Sequence, residues 1–283
     1  MIRKMIATVV VSAMVLAMTA CGGSKGGSGA VSGIKTVTPG KLTVATSPDF
    51  APYEFYAVDA SGTPELAGFD IALAQYIADY LGLELEMVPV DFDGVLMELQ
   101  TKSVDLGVAG LSPDPKRDSI MDFSDIYYEG GQSFVCTKAN KDKFKSLEDT
   151  NKAEYEIGAQ TGSIQVDLAQ ANSPDSDIIQ LTKVTDIVAE LLAGKLDGAY
   201  IETAVAESYA QNYPDLCVAL DVPYEEAEGS AVGVSKGNEA LLNGVNEAIA
   251  AAMIIDSNTT SPLEKVMMES KDLSDKHYKA ISE

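Results

Sequence analysis

Leu96-Met97-Glu98-Leu99, four residues, Val104-Asp105 and a short apolar run to Ala109-Gly110 are answered 92 positions later by Val188-Ala189-Glu190-Leu191, four residues, Leu196-Asp197 and a run to Ile201-Glu202. Each copy reads as a helix, a tight polar turn and a strand that opens with an aspartate. Any helix–turn–strand unit shares this outline. Read as a true repeat, it makes the chain two similar α/β lobes that present Gly110 and Glu202 at equivalent strand ends. Open α/β sheets bind ligands beyond the carboxyl ends of their strands. Two such ends facing each other across a cleft enclose a small ligand.

Working outward, Lys41 to Thr46 reads as a strand, and Phe50 to Val58 as extended chain turning at Ser61-Gly62. Ile71, Ala74, Ile77, Ala78 and Leu81 recur at helical spacing, so a helix is expected from Asp70 to Leu81, capped by Asp70 and ended by Gly82. A strand over Leu83–Val90, a helix over Asp93–Thr101 and a strand over Val104–Ala109 follow. Beyond residue 130 the pattern restarts, with strands at Phe134–Thr137, Glu156–Ala159, Leu196–Ile201 and Ala231–Val234. Helices are expected at Ser163–Ala171, Asp186–Ala193, Glu239–Ile255 and Pro262–Met268. This alternation predicts an α/β protein with largely parallel sheets. No Gly-Ser linker divides the halves, so a structured connection is expected.

The 283 residues suit about two domains. Lys and Arg number 20 against 43 Asp and Glu, a net charge of −23, which argues against a nucleic-acid partner because a phosphate-binding face needs clustered bases. A hydrophobic fraction of 46% with 22% charged residues fits a folded chain with a sizeable core. One histidine, His277, and three cysteines argue against a four-ligand zinc site. No metal or cofactor is expected.

At the N-terminus, Arg3 and Lys4 precede an apolar run from Met5 to Met18, which is shorter than the roughly 20 residues of a membrane span and has the length of a signal-peptide core. Leu16-Ala17-Met18-Thr19-Ala20-Cys21-Gly22-Gly23 resembles a bacterial lipobox, with Met18 where Leu is more usual. That resemblance implies cleavage after Ala20 and lipidation of Cys21; the mature charge is then −25, since two basic and no acidic residues leave with residues 1–20. Gly22 to Gly33 is rich in Gly and Ser, as a flexible tether is, and lipid plus tether holds a domain at the membrane without spanning it. Cys136 and Cys217 remain, both in apolar, strand-like contexts. The first reading is two buried free thiols. Export permits a disulfide, and sequence leaves the pairing open.

Five motifs then occur in order: Ser47-Pro48-Asp49-Phe50-Ala51-Pro52-Tyr53-Glu54-Phe55, Gly68-Phe69-Asp70, Val90-Asp91-Phe92-Asp93-Gly94, Ala109-Gly110-Leu111-Ser112-Pro113-Asp114-Pro115-Lys116-Arg117, and Asp122-Phe123-Ser124-Asp125-Ile126-Tyr127-Tyr128. Together they resemble the family 3 extracellular solute-binding proteins, the receptors of polar amino-acid ABC transporters, over roughly residues 41–268. The resemblance implies the type II periplasmic-binding-protein fold, two α/β lobes joined by two hinge segments with the ligand cleft between them. The boundaries expected are a signal peptide at 1–20, lipidated Cys21 and tether at 21–40, lobe 1 at 41–130 and 229–283, and lobe 2 at 131–228, with crossings near 129–132 and 226–230.

A free amino acid offers a carboxylate, an ammonium and a side chain. The carboxylate wants a bidentate guanidinium and N–H donors. Arg117 matches the family's carboxylate-binding arginine, with Gly110 and Ser112 at the neighbouring positions that complete the grip. Glu202 aligns where the family commonly has the aspartate that takes the ammonium, one methylene longer. Phe50 and Phe92 match positions that sandwich the ligand side chain. Ser47 stands where basic-amino-acid binders often carry Asp, and Asp70 matches a second acidic position, its capping role competing. Gln160-Thr161-Gly162-Ser163 resembles the turn that donates to the ligand from a helix N-terminus, with Gln160 and Ser163 the candidates and Ile164 a departure from the usual small or hydroxyl residue.

The implied function is capture of a polar or basic L-amino acid by clamshell closure and delivery to an ABC permease and its ATPase. The protein would be a monomer, lipid-anchored on the extracytoplasmic face of the cell membrane. Two alternatives belong to other classes. One is an exported cyclohexadienyl or arogenate dehydratase on the same fold, with Glu202 or Glu54 as general acid. The other is a ligand-sensing module that docks to a receptor.

Overall fold

The structure is a computed structural model that describes residues 33–58, 62–224, 229–253 and 262–282, without the side chains of 262–264 and 276–282. The signal peptide, Cys21, most of the tether and the side chain of His277 therefore lie outside the described residues.

Two five-stranded sheets carry the chain. In the first, β1 (Lys41–Thr46) lies between β5 (Glu84–Pro89) and β6 (Leu106–Gly107), both parallel to it, and β13 (Ser230–Ser235) and β7 (Met121–Tyr128) complete the order β5-β1-β6-β13-β7 by antiparallel pairing. In the second, β9 (Glu156–Gln160) lies between parallel β10 (Asp177–Leu181) and β11 (Gly198–Glu202), and β8 (Gln132–Thr137) and β12 (Leu216–Val222) complete the order β10-β9-β11-β8-β12, again antiparallel. Position by position the second sheet repeats the first. Two of the four joins in each are antiparallel, so the expectation of largely parallel sheets is corrected to mixed ones. A third, small antiparallel sheet joins β2 (Asp49–Phe50), β3 (Glu54–Val58) and β4 (Pro64–Ala67).

The repeat of 92 positions survives in three dimensions. Helix α2 (Phe92–Thr101) leads into β6 as α4 (Val184–Leu192) leads into β11, and both members of the second pair begin 92 positions after those of the first. The aspartates before the strands do the same work. Asp105 donates its N–H to Thr43 O (2.9 Å), and its carboxylate accepts from the N–H of Thr43 (2.9 Å) and of Val37 (2.8 Å). Asp197 donates to Glu156 O (2.8 Å) and accepts from Glu156 N–H (3.3 Å). Each pins the start of its strand to the neighbouring parallel strand, β1 or β9.

The chain passes from the first sheet to the second between Tyr128 and Gln132 and returns between Val222 and Ser230, an interval that includes undescribed residues 225–228. Leu42, Val44, Phe69, Leu73 and Ile77 fill the space under α1 (Phe69–Leu81), and Ala45, Val95, Leu99, Leu111 and Met121 fill that under α2. In the second lobe α3 (Ile164–Asn172) covers a core of Phe134, Phe144, Tyr155, Ile157 and Tyr200. A Cβ at Gly198 would fall 2.1 Å from Phe134 Cζ, so the strand approaches that ring only as glycine.

Several elements differ from expectation. Gly68, not Asp70, occupies the N-cap of α1; Asp70 sits inside the first turn with its carboxylate turned inward. The strand expected over Val104–Ala109 pairs only at Leu106–Gly107. β7, β10 and α5 (Thr203–Asn212) were not expected, and β12 extends the apolar context seen around Cys217. Helix α6 (Glu239–Ala252) fits its expected start, while residues 254–255 lie outside the description. Helix α7 (Pro262–Ser282) runs well beyond Met268 because Met267, Ser270 and Ser274 form a buried, mostly small-residue stripe. It packs against α1, β3 and α5, with Ser274 on Ser208 (3.2 Å) and Asp275 accepting from Gln211 (2.9 Å) and Asn212 (3.0 Å). The C-terminal helix thereby touches both lobes.

Candidate functional site

The carboxyl ends of β1 and β6 meet those of β9 and β11 across the interval between the lobes, and the expected site residues lie on the segments that leave them. After β1, Ser47 is buried and donates to Asp49 Oδ1 (2.9 Å). Phe50 stacks on Tyr53 with centroids 5.7 Å apart. After β6 the chain turns at Gly110, whose φ of +54° favours glycine and whose Cβ, if present, would lie 2.8 Å from Phe50 Cε1.

A buried acidic pair supports that turn. Asp70 accepts from Gly110 N–H (2.8 Å) and from the Tyr127 hydroxyl (2.9 and 3.0 Å). Burial raises its pKa to about 6, against the pull of those donors. Glu54 beside it is fully buried, and neither of its oxygens meets a donor among the described residues. Burial, and then the charge of Asp70, push its pKa well above the usual carboxylate range. Both effects favour the protonated form of Glu54, which spares Asp70 a second ionised carboxylate beside it. Asp70 holds up the Gly110 turn from inside, the role for which it leaves the helix cap.

Arg117 ends a short 3₁₀ turn, Pro115–Arg117, that Asp114 caps by accepting from Lys116 N–H (2.9 Å). Arg117 as a whole is 6% exposed. Nη1 donates to Ser112 O and Nη2 to Gly162 O, both at 3.1 Å, the second reaching the other lobe. Its Cζ lies 5.7 Å from the ring centroid of Phe92, the first residue of α2. Burial lowers its pKa, with Asp114 opposing. Among the described residues no carboxylate approaches it within ion-pair distance. Two hydrogen bonds to carbonyls use two of the five N–H donors a guanidinium carries. A buried cation with spare donors and no carboxylate at ion-pair distance among the described residues can receive an anion.

In the second lobe, Gln160 ends β9 and donates to Thr182 O (3.2 Å) and, across the cleft, to Asp49 Oδ2 (3.4 Å). Ser163 stands at the N-cap of α3, but its hydroxyl donates to Gln160 O (2.7 Å) and caps nothing. Glu202 ends β11 and caps α5, accepting from Val205 N–H (2.9 Å) and from the Tyr53 hydroxyl of the first lobe (3.1 Å). Burial raises its pKa to about 7, against these donors. Contacts tie Gly110 to Phe50 and Asp70, Arg117 to Ser112, Phe92 and the turn before Ser163, and Gln160 to Asp49, while Glu202 meets Tyr53 of the first lobe and Asp70 faces inward beneath Gly110.

Asp49 escaped the sequence reading. Its carboxylate accepts from Val184 N–H at 2.6 Å, from a residue 135 positions away. Lys183, the N-cap residue of α4, makes no side-chain cap bond, so an aspartate of the first lobe caps a helix of the second. Nothing near Asp49 in sequence signals this, because the partner is brought by the fold. Beside it a cavity of about 640 Å³ is lined by Ser47, Asp49, Asp91, Asp93 and Lys183, three carboxylates against one ammonium. Lys116 and Asp167 add an exposed ion pair between the lobes at 2.7 Å. Among the described residues no group of His, Cys, Asp or Glu could hold a metal ion, and no helix is long and apolar enough to cross a membrane.

Two α/β lobes that close a buried guanidinium and a buried carboxylate between facing strand ends define a two-lobed solute binder. The profile of the bacterial extracellular solute-binding proteins, family 3, matches residues 42–260, and the chain belongs to that family. It is similar to the arginine-binding extracellular protein ArtP of Bacillus subtilis, 34% identical over 251 residues that cover 87% of this chain and 91% of that one. Among solved structures it is similar to the amino acid ABC transporter substrate-binding protein AbpA of Streptococcus pneumoniae bound to L-arginine. There the TM-score is 0.77 at 32% identity, covering 83% of this chain and 96% of the other. A cyclohexadienyl dehydratase of Pseudomonas aeruginosa is 26% identical over 190 residues, 67% of this chain and 69% of that enzyme.

Proposed function

We propose that this chain is the substrate-binding lipoprotein of an amino-acid ABC importer and captures an amino acid with a cationic side chain, arginine foremost, between its lobes. One observation carries the reading: Arg117 is buried, keeps donors to spare and lacks a carboxylate partner among the described residues. A ligand α-carboxylate supplies that partner. Gly110 and Ser112 flank it on the first lobe, and Gln160 and Ser163 meet it from the second. Glu202 takes the α-ammonium. Phe50 and Phe92 hold the aliphatic stem, and the acidic cavity beside Ser47 and Asp49 receives the cationic end. The arginine-binding relatives support the choice of side chain.

Closure shifts an open–closed equilibrium as far as the ligand prefers the closed state. The crossings near 129–132 and 226–230 are the hinges, dividing the chain into lobe 1 (41–130 and 229–283) and lobe 2 (131–228). The closed form is a monomer delivered to a membrane permease and its ATPase. Lipid on Cys21 and the tether behind it hold the protein on the extracytoplasmic face of the cell membrane; Cys21→Ala would release it from membranes.

Titration calorimetry with arginine, lysine, ornithine, citrulline, glutamine and glutamate tests the reading. Arginine should bind with the cationic analogues behind it, and Arg117→Ala should abolish binding; equal affinity in that variant overturns the site. A second reading has one observation in its favour, the pKa of Glu202 near 7, which suits a general acid. Release of product from arogenate or prephenate would favour the dehydratase.

A further inference from the structure

Cys136 on β8 and Cys217 on β12 stand directly opposite each other in the antiparallel register, between the pairs Leu216–Thr137 and Val218–Val135. Side chains directly opposite share a face of the sheet, with Cα atoms about 4.5–5.5 Å apart, inside the span of about 4.4–6.8 Å that a disulfide bridges. The two sulfurs are 4.0 Å apart, and both thiols are free. Cys136 is buried and Cys217 half-buried, its thiol directed at Cys136 O (3.6 Å). From this geometry we infer that Cys136 and Cys217 are a built oxidation site, closed to a cross-strand disulfide by thiol–disulfide exchange with a small disulfide or a disulfide-carrying oxidoreductase.

The order of events follows from exposure. The outer thiol, Cys217, loses its proton and attacks the oxidant's disulfide, forming a mixed disulfide and releasing one thiol. Cys136 then loses its proton and attacks the sulfur of Cys217, forming the internal bond and releasing the second thiol. Two electrons and two protons pass to the oxidant, which leaves as two thiols. Burial pushes the Cys136 thiol up to about 12, so the second step is slow; Lys141 and Lys143 on the following turn pull the other way. The family acts outside the cytoplasm, where such oxidants operate.

The position says what the bond would do. β8 is the strand by which the chain enters the second sheet, and β12 the last before it leaves. A link between them closes β9, α3, β10, α4, β11 and α5 into one covalent loop. Gln132, at the crossing end of β8, pairs with Glu202, whereas Cys136 lies four residues further along, about 14 Å at strand rise. The staple thus tightens the second lobe and leaves the cleft alone.

The test uses the full chain with oxidised and reduced glutathione at graded ratios, acid quenching, alkylation under denaturing conditions and peptide mapping. Cys136 and Cys217 should lose alkylation together, with a linked peptide pair containing both. Cys136→Ala and Cys217→Ala should each stop at a glutathione adduct or a free thiol. The oxidised protein should unfold about 5–10 °C higher than the reduced one, with its ligand affinity unchanged. Persistence of both thiols under conditions that fully oxidise dithiothreitol, or an adduct on Cys217 with Cys136 left free, overturns the inference. A link that lowers the unfolding temperature overturns its role as a staple.

Discussion

The two lobes share a frame and differ in what they place at its end. In both, a helix, a turn and an aspartate deliver a strand to the centre of the sheet, and Asp105 and Asp197 anchor it in the same way. In the first lobe β6 lasts two residues and the chain breaks away at Gly110, running on through Ser112 to bury Arg117. In the second, β11 runs five residues straight to Glu202, which caps the helix that follows. One lobe ends in a buried cation, the other in a buried anion. A zwitterion complements that pair as neither lobe alone can. The frame explains position, and the departure from it explains chemistry.

The comparison breaks most sharply at Arg117. Stranding a buried charge costs about 3–5 kcal/mol, so removing the guanidinium and leaving a ligand carboxylate unpaired should weaken amino-acid binding by about 100-fold or more. Arg117→Ala in titration calorimetry checks this, with the melting curve of the unliganded protein as control. The variant should melt near the wild-type temperature, because among the described residues no carboxylate pairs with the buried cation it removes.

The anionic lobe should announce itself through pH. Glu202 titrates near 7 in the folded protein, above its ordinary value of 4.5. The native state therefore holds a proton that the unfolded chain has lost between those values, so unliganded stability falls as pH rises through that window. Asp70, raised from 3.8 to about 6, acts in the same direction. Ligand binding runs the other way, because an ammonium needs the ionised Glu202. Affinity should rise about tenfold from pH 6 to pH 8, with proton release on binding below pH 7. Glu202→Gln should flatten this profile, and a profile unchanged in that variant would separate Glu202 from the ammonium.

How far the sequence reaches follows the same division. Local features were legible: helical spacing gave α1 and α2, Gly82 ended α1 in the left-handed conformation, and the 92-residue repeat survived as matching sheet order. The strand-end positions of Gly110 and Glu202 were legible from the repeat. β7 was missed because Asp122, Ser124 and Asp125 interrupt its apolar alternation, and α5 because its buried face consists largely of Ala and Ser beside Val205 and Tyr209. Asp70 was read as a cap because position favoured it, whereas its true partners, Gly110 and Tyr127, lie 40 and 57 positions on. Asp49 was missed for the same reason across a larger gap. Pairings made by closing the fold leave no local mark.

Asp49 separates capping from charge. Loss of a helix cap costs about 0.5–2 kcal/mol, so Asp49→Ala should weaken arginine binding about fivefold by destabilising the closed arrangement in which it caps α4. Asn caps as well as Asp but carries no charge. Asp49→Asn should therefore retain affinity for citrulline and lose it for arginine if the carboxylate also faces a cationic side chain. Unchanged affinity for both ligands would leave the cap as its whole contribution.

The smallest effect belongs to an exposed ion pair between the lobes. Lys116 and Asp167 meet at 2.7 Å, closer than many pairs that matter, but their side chains are 68% and 47% exposed. Water screens such a pair, and ordering two flexible side chains offsets much of the attraction, so exposed pairs contribute about 0–1 kcal/mol. Lys116→Ala should change ligand affinity by about twofold or less at low salt, and the difference should vanish near 1 M salt, where the screening length falls to about 3 Å. The Asp49 effect should persist there, because its hydrogen bond to Val184 N–H is part-buried. Titrations of both variants at low and high salt therefore rank the two contacts by burial rather than by distance. A Lys116 effect larger than that of Asp49→Ala would mean that the exposed pair and not the capped helix holds the lobes together, and one that survives salt would mean that Lys116 acts through packing rather than charge.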